Sequence, residues 1–291
     1  MRLVAASVVL VCAASAGAAP ATTPPTAGTL GPSLPAIAHR GVLRVGMFPG
    51  LAPFVAAGAD ADELARLAHV TTPPAHATDG RAVAGFDVDL AAAAAHALGV
   101  KLEIVLVERF DDLLPGLVDG RYDVVMSGLT RTLDRARTVA FSDPYFASGL
   151  EVLVPQSTTY ATLPALAAAH ARVAVRAGTT AESFARATLA GASVVALPTD
   201  AAVLGAIDRG EVDAAVIDYV TSRDAEVRGR LHAPLQALED RRFTVEHFAF
   251  AVRQGDADWL AWLDLMLREA KASGAFHALA ARYNPWFRSE R

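Results

Sequence analysis

The stretch Gly120-Arg121-Tyr122-Asp123-Val124-Val125-Met126-Ser127-Gly128-Leu129-Thr130-Arg131-Thr132-Leu133-Asp134-Arg135 decides the reading of the fold. Asp119-Gly120 stops a short helix, and the run Asp123 to Ser127 that follows reads as a strand. Its carboxyl end opens into a polar loop, where Thr132 has the chemistry of a helix N-cap. That spacing places Arg135 in the first helical turn. Such a turn offers unpaired N–H groups and a dipole that favours an anion. A guanidinium there can grip a carboxylate through two parallel hydrogen bonds. An arginine in a first turn works against the dipole, so its position points to a partner anion; a solvated surface charge is the plainer alternative.

Outward from this stretch, short β-rich runs alternate with Ala/Leu-rich helical runs, the pattern of α/β architecture. Upstream, Val42 to Gly46 is a strand, Phe86 to Leu98 a helix stopped by Gly99, Lys101 to Val107 a strand and Asp111 to Val118 a short helix. Downstream the rhythm restarts. Arg172 to Val175 is a strand, Thr180 to Leu189 a helix, Val194 to Ala196 a strand, and Asp200 caps a helix running to Arg209 before the strand Asp213 to Ile217. Two βαβαβ blocks separated by Phe141 to Leu163 predict two α/β units. Phe248 to Val252 is a late strand that returns the chain to the first unit, and Trp259 to Ala270 and Phe276 to Tyr283 are closing helices. Val55 to Val83 fits neither block and reads as a surface insertion, helical from Asp60 to Ala68.

At the amino end, Arg2, the apolar run Leu3 to Cys12 and the small residues Ala16-Gly17-Ala18 have the form of a cleaved export signal, residues 1–18. The run is shorter than the roughly 20 residues of a membrane span. Cys12 is the only cysteine, and Val11 precedes it where a lipid-anchor signal needs a small residue. The mature chain is therefore expected to be soluble, without disulfides and held by burial alone. Residues 19–37 contain five of the 16 prolines and read as an extended tether outside any core. The formal charge is −5 with no basic stripe, which argues against a nucleic-acid partner. No metal-ligand cluster, cofactor motif or nucleophile motif stands out, so no metal and no cofactor is expected.

In an open α/β sheet, ligands bind beyond the carboxyl ends of strands. Two further ends carry suitable groups. Arg176-Ala177-Gly178-Thr179-Thr180 follows one strand; its glycine permits a tight turn, and its threonines can cap a helix or donate to a bound oxygen, capping being the commoner use. Asp218 ends another strand and suits an ammonium group, or a loop cap. Phe48 and Leu51 after the first strand, and Phe110 after Lys101 to Val107, offer an apolar wall or ordinary core.

Several motifs in order, among them Gly85-Phe86-Asp87-Val88-Asp89-Leu90, Phe141-Ser142-Asp143-Pro144-Tyr145, Ala177-Gly178-Thr179-Thr180-Ala181-Glu182 and Gly210 through Asp218, resemble the bacterial extracellular solute-binding proteins of the polar amino-acid type. The likeness spans Leu43 to Tyr283. It implies a two-lobed periplasmic-binding-protein clamshell of type II, each lobe a mainly parallel sheet flanked by helices, with two crossing strands. Lobe 1 would be 38–148 with the insertion at about 55–83, lobe 2 would be 149–247, and 248–291 would return to lobe 1. The implied function is the periplasmic substrate-binding component of an amino-acid ABC transporter, a monomer that hands a small amino acid or related carboxylate to a membrane permease. On this resemblance Arg135 binds the α-carboxylate, helped by Thr130 and Gly128, and Thr179 and Thr180 meet it from the other lobe. Asp218 pairs with the α-ammonium and Phe110 packs on the side chain. Family members that bind basic amino acids tend to carry an acid and an aromatic where Phe48 and Leu51 stand, which favours an apolar or small side chain here.

The cyclohexadienyl dehydratases, which act on prephenate or arogenate, resemble the chain over the same span, notably at Glu182-Ser183-Phe184-Ala185-Arg186-Ala187. On that alternative Glu182 is the candidate acid, provided it faces the cleft and is desolvated.

Overall fold

The computed structural model describes residues 33–68, 74–227, 229, 234–283 and 287. The expected export signal and most of the expected tether lie outside the described residues. Where the chain enters, it already joins the core. The helix Ser33–Arg40 buries Ile37 completely, and the Ser33 backbone N–H donates to both carboxylate oxygens of Asp256 at 3.1 Å. Residues 33–37, expected in the tether, are therefore helical. One aliphatic side chain and one capped N–H outweigh the extended bias of the preceding Pro-rich run.

Two five-stranded sheets organise the molecule. In the first, the order is Lys101–Leu106, Val42–Met47, Val124–Val125, Ala251–Arg253, Val139–Phe141. Its first three strands run parallel, while Ala251–Arg253 pairs antiparallel to both its neighbours. The second sheet has the order Ser193–Leu197, Arg172–Arg176, Ala214–Asp218, Leu150–Pro155, Leu235–Ala237. Again three strands run parallel, and Leu150–Pro155 pairs antiparallel to both its neighbours. Helices flank both sheets, with fully buried Leu43, Val45, Phe86 and Trp259 on the first side and Val152, Val173, Val175 and Leu166 on the second. Among the described residues no helix is long and apolar enough to cross a membrane.

Between the sheets, Phe146–Ser148 pairs antiparallel with Glu246–Phe248. These are the two crossing strands. The late strand expected over Phe248 to Val252 is thus two short ones: Glu246–Phe248 lies in the crossing pair and Ala251–Arg253 in the first sheet.

The stretch 55–83 is not a surface appendage. Its strands Val55–Ala57, Ala75–His76 and Ala82–Ala84 form a four-stranded sheet with Gly50–Leu51, and its helix is Ala59–Leu67. Val55, Ala61, Leu64 and Val83 have no solvent exposure. A short helix with alternating apolar residues, laid on a hairpin, buries enough aliphatic surface to extend the first lobe's core.

Candidate ligand-binding cleft

The carboxyl ends of the parallel strands supply the walls of a cleft between the sheets. Gly128, Thr130, Arg135 and Phe110 come from the first lobe, and Thr179, Thr180, Asp218, Arg176 and Asp200 from the second. In the closed form little open space remains between these walls, a cavity of about 30 Å³.

Thr132 caps as its spacing predicts, its Oγ1 accepting from the Arg135 N–H at 3.1 Å. The turn it starts is a single 3-10 turn, Arg135–Arg137, and not an α-helix, so the dipole contribution expected there is small. The arginine is instead aimed by hydrogen bonds. Its Nη1 donates to the Thr130 carbonyl at 2.7 Å and its Nη2 reaches the Gly178 carbonyl of the opposite lobe at 3.4 Å. The guanidinium carbon lies 5.5 Å from the centre of the Phe110 ring. Burial lowers the Arg135 pKa, with Glu246 opposing that shift; an arginine remains charged regardless.

Glu246 sits at the junction of the lobes. One of its oxygens, Oε2, accepts from Thr130 Oγ1 at 2.7 Å and from Thr180 Oγ1 at 2.9 Å, one donor from each lobe. It stands in the crossing strand opposite Ser148, and the Ser148 hydroxyl donates to Asp218 Oδ1, which also accepts from the Val220 N–H at 3.1 Å. Loss of solvent around Asp218 pushes its pKa up to about 7, and the nearby negative charge of Glu246 adds to the rise. The Thr179 hydroxyl closes its own turn by donating to the Arg176 carbonyl at 2.7 Å.

Two glycines shape the floor. Gly128 has φ +54°, and a Cβ there would stand 2.2 Å from Leu51 Cδ2; its N–H donates to the buried Asp87 carboxylate at 2.6 Å. Gly178 has φ +71° and its Cβ would meet the Asp111 carboxylate of the other lobe, so the backbone there approaches across the cleft as only glycine allows.

Seven of the eight expected binding residues, Arg135, Thr130, Gly128, Thr179, Thr180, Asp218 and Phe110, thus line one cleft. The eighth, Phe48, stands beside it and meets Phe110 edge to face at 5.8 Å; it lines an adjoining cavity of about 580 Å³ that shares Asp200 as a wall. Glu182 is not among the lining residues. Its Oε2 accepts from the Gly178 N–H at 2.9 Å and its Oε1 pairs with Arg186 at 2.7 Å, and these bonds, the first above all, hold its carboxyl below the usual range. It fails the first condition attached to its role as an acid, that it face the cleft, and although its side chain is half-buried its lowered pKa keeps it ionised near neutral pH. Among the described residues no three His, Cys, Asp or Glu side chains gather into a metal site.

Among the charged residues, Arg176 and Asp200 in the lining and Glu246 beside it are not among the expected binding residues. Asp200 is expected as a helix cap, yet Thr199 Oγ1 takes that place by accepting from the Ala202 N–H at 3.1 Å. The Asp200 carboxylate is freed to bind Arg176 Nη1 at 2.7 Å. Arg176 ends a parallel strand, a position that does signal a site.

A two-lobed α/β molecule with its polar groups converging at the hinge invites comparison with known proteins. The family model for bacterial extracellular solute-binding proteins, family 3, matches residues 66–287. The chain belongs to this family. Cyclohexadienyl dehydratase of Pseudomonas aeruginosa is 30% identical over 69% of this chain and 75% of its own length. The lysine/arginine/ornithine-binding periplasmic protein of Escherichia coli is 27% identical over 84% of this chain and 96% of its own. Among solved structures, an ancestral amino-acid-binding protein described as a precursor of cyclohexadienyl dehydratase superposes with a TM-score of 0.72 at 31% identity, covering 88% of this chain and all (100%) of that one. As a solute-binding protein of this family, the chain has the type II clamshell fold and a ligand-binding role.

Proposed function

We propose that this solute-binding protein is the periplasmic component of an amino-acid ABC transporter, capturing a small amino acid or related carboxylate between its lobes and passing it unchanged to a membrane permease. One observation carries the reading: Arg135 from the first lobe and Asp218 from the second line a single cleft. A fixed cation and a fixed anion on opposing walls match the carboxylate and ammonium of a zwitterion. Both groups have only modest partners in the closed form, Arg135 holding two neutral carbonyls. A ligand carboxylate is a stronger partner for a guanidinium than a carbonyl is. The Thr130 and Thr180 hydroxyls each give their one proton to Glu246, so they can donate to a ligand oxygen only by turning from that carboxylate. Export by way of residues 1–18 fits the extracellular character of the family.

The dehydratase relative supplies the competing reading. Against it stands Glu182, held ionised by Gly178 and Arg186, since an ionised carboxylate cannot protonate a departing hydroxyl. Calorimetry and thermal shift against the amino acids, beside turnover assays with prephenate and arogenate, decide between the two. Binding of an amino acid without turnover is the expected result; turnover abolished by Glu182→Gln would replace transport with catalysis. Arg135→Ala should weaken the bound amino acid by about 2–5 kcal/mol, because it leaves a desolvated carboxylate unpaired. Unchanged affinity in a folded variant would remove the clamp.

A further inference from the structure

Phe110, the residue expected against a ligand side chain, already carries a guanidinium on its face. The Arg176 guanidinium carbon lies 4.6 Å from the centre of the Phe110 ring and 5.4 Å from that of Phe48. Its Nη1 donates to Asp200 Oδ2 at 2.7 Å. A carboxylate beside two aromatic rings is a complete receptor for a cation: the ring faces attract positive charge, and the carboxylate accepts its hydrogen bonds. Here the cation is part of the chain. The rings belong to the first lobe and the ion pair to the second, so closing the lobes brings the rings onto a guanidinium already paired with Asp200.

The pair is well shielded, with Arg176 7% and Asp200 8% exposed, and little water is left to screen a second charge placed beside it. Arg176 is also incompletely satisfied, for its Nε is buried with no partner. A ligand oxygen would supply the missing acceptor. A lysine-like or arginine-like side chain cannot, because it brings only donors and a further positive charge.

We infer that Arg176 is the specificity-determining residue of this cleft: its guanidinium fills the Phe48–Phe110–Asp200 receptor, so that amino acids with cationic side chains are rejected and those with uncharged, oxygen-bearing side chains are admitted. The inference rests on the amino-acid reading above. It is tested by calorimetry of the full-length mature protein and of Arg176→Ala with arginine, lysine, glutamine and serine. The wild type should bind glutamine or serine at least tenfold more tightly than arginine or lysine. Arg176→Ala should shift that ratio at least tenfold toward the cationic ligands, and adding Asp200→Ala should reverse the gain by removing the counter-ion. Arg176→Gln retains a hydrogen-bond donor for Asp200 without the cation; it should move the ratio the same way and serves if the alanine variant fails to fold. A wild type that prefers arginine or lysine, or a ratio unmoved by both substitutions while glutamine or serine still binds, overturns the role of Arg176 alone. Failure of every protein to bind any amino acid overturns the amino-acid reading, and this inference with it.

Discussion

On the proposed reading Asp218 and Arg135 meet a zwitterion under different rules, because only one of them titrates in the working range. With its pKa pushed up to about 7 by loss of solvent, Asp218 is part-protonated at neutral pH in the closed form without ligand. An ammonium partner needs the ionised form, so binding expels a proton. Affinity for an amino acid should therefore be level above pH 7 and fall as pH drops below it, approaching tenfold per unit for one linked proton. Deaminated analogues, which leave Asp218 without an ammonium, should lack this fall, and Asp218→Asn should abolish it while weakening amino acids more than their analogues. Titration calorimetry between pH 5 and 8 in roughly unit steps reads both effects; identical pH profiles for the two ligand types would assign Asp218 to the scaffold. The position of this residue, like that of Arg135, is legible in the sequence, since each follows a β-rich run where α/β sheets bind ligands. Glu246 is not legible, because its role comes from a crossing strand that meets Thr130 and Thr180 from separate lobes. The Arg176–Asp200 pair was hidden by an ambiguity of local chemistry: Thr199 and Asp200 both suit a helix cap, and only the fold shows which one caps.

At the scale of elements, the helix Phe86–Leu98 ties the cleft to the first lobe through one buried carboxylate. Asp87, with no exposure, accepts through Oδ2 from the Gly128 N–H at 2.6 Å and from the Tyr145 hydroxyl at 2.9 Å. Its Oδ1 is buried without a partner. Desolvation raises its pKa to about 7, the two hydrogen bonds only partly opposing the rise. Between the ordinary value of 3.8 and about 7, the unfolded chain has released this proton while the folded chain keeps it. The contribution of Asp87 to stability is thus full below that window and is lost as pH rises through it, by up to about 1.4 kcal/mol per unit. Asp87→Asn, neutral at all pH, should remove this component. Urea unfolding of both proteins should show the wild-type-minus-variant stability difference falling from pH 4 to pH 7 in roughly even steps; a constant difference would place the proton elsewhere. The helix itself, ending at Gly99, is plain in the sequence. The stretch 55–83 is misread as surface, because its helix and short strands each look too small for a core until Val55, Leu64 and Val83 are seen to share one.

For the molecule as a whole, the question is how firmly the lobes hold together without a ligand. Their direct polar links include the Arg135–Gly178 bond at 3.4 Å, the shared contact of Thr130 and Thr180 with Glu246, and Arg176 resting on Phe110. Each such contact replaces one with water and nets about 0.5–1.5 kcal/mol for a hydrogen bond or 0.5–2 kcal/mol for a cation on a ring. The apolar cores lie mostly within the lobes, with Val220 and Tyr219 of the second lobe packed against the first lobe's cluster, so closure buries only part of the surface that drives association. Opening also rehydrates Arg176, Asp200 and Asp218, which favours separation of the lobes. The expected state of the free protein is therefore a mixture that includes open forms, with the hinge strands Phe146–Ser148 and Glu246–Phe248 joining the halves among the described residues. A ligand gripped by Arg135 from one side and by Asp218 from the other interacts fully with the closed form alone and shifts the mixture toward it. Hinge closure around ligands is the established behaviour of this class. Small-angle scattering should show the radius of gyration falling on saturation with a bound amino acid, and Arg135→Ala should need far more ligand for the same contraction. Because little open space remains between the closed lobes, the ligand is expected to enter through an open form, and a radius unchanged at saturation would count against closure around it.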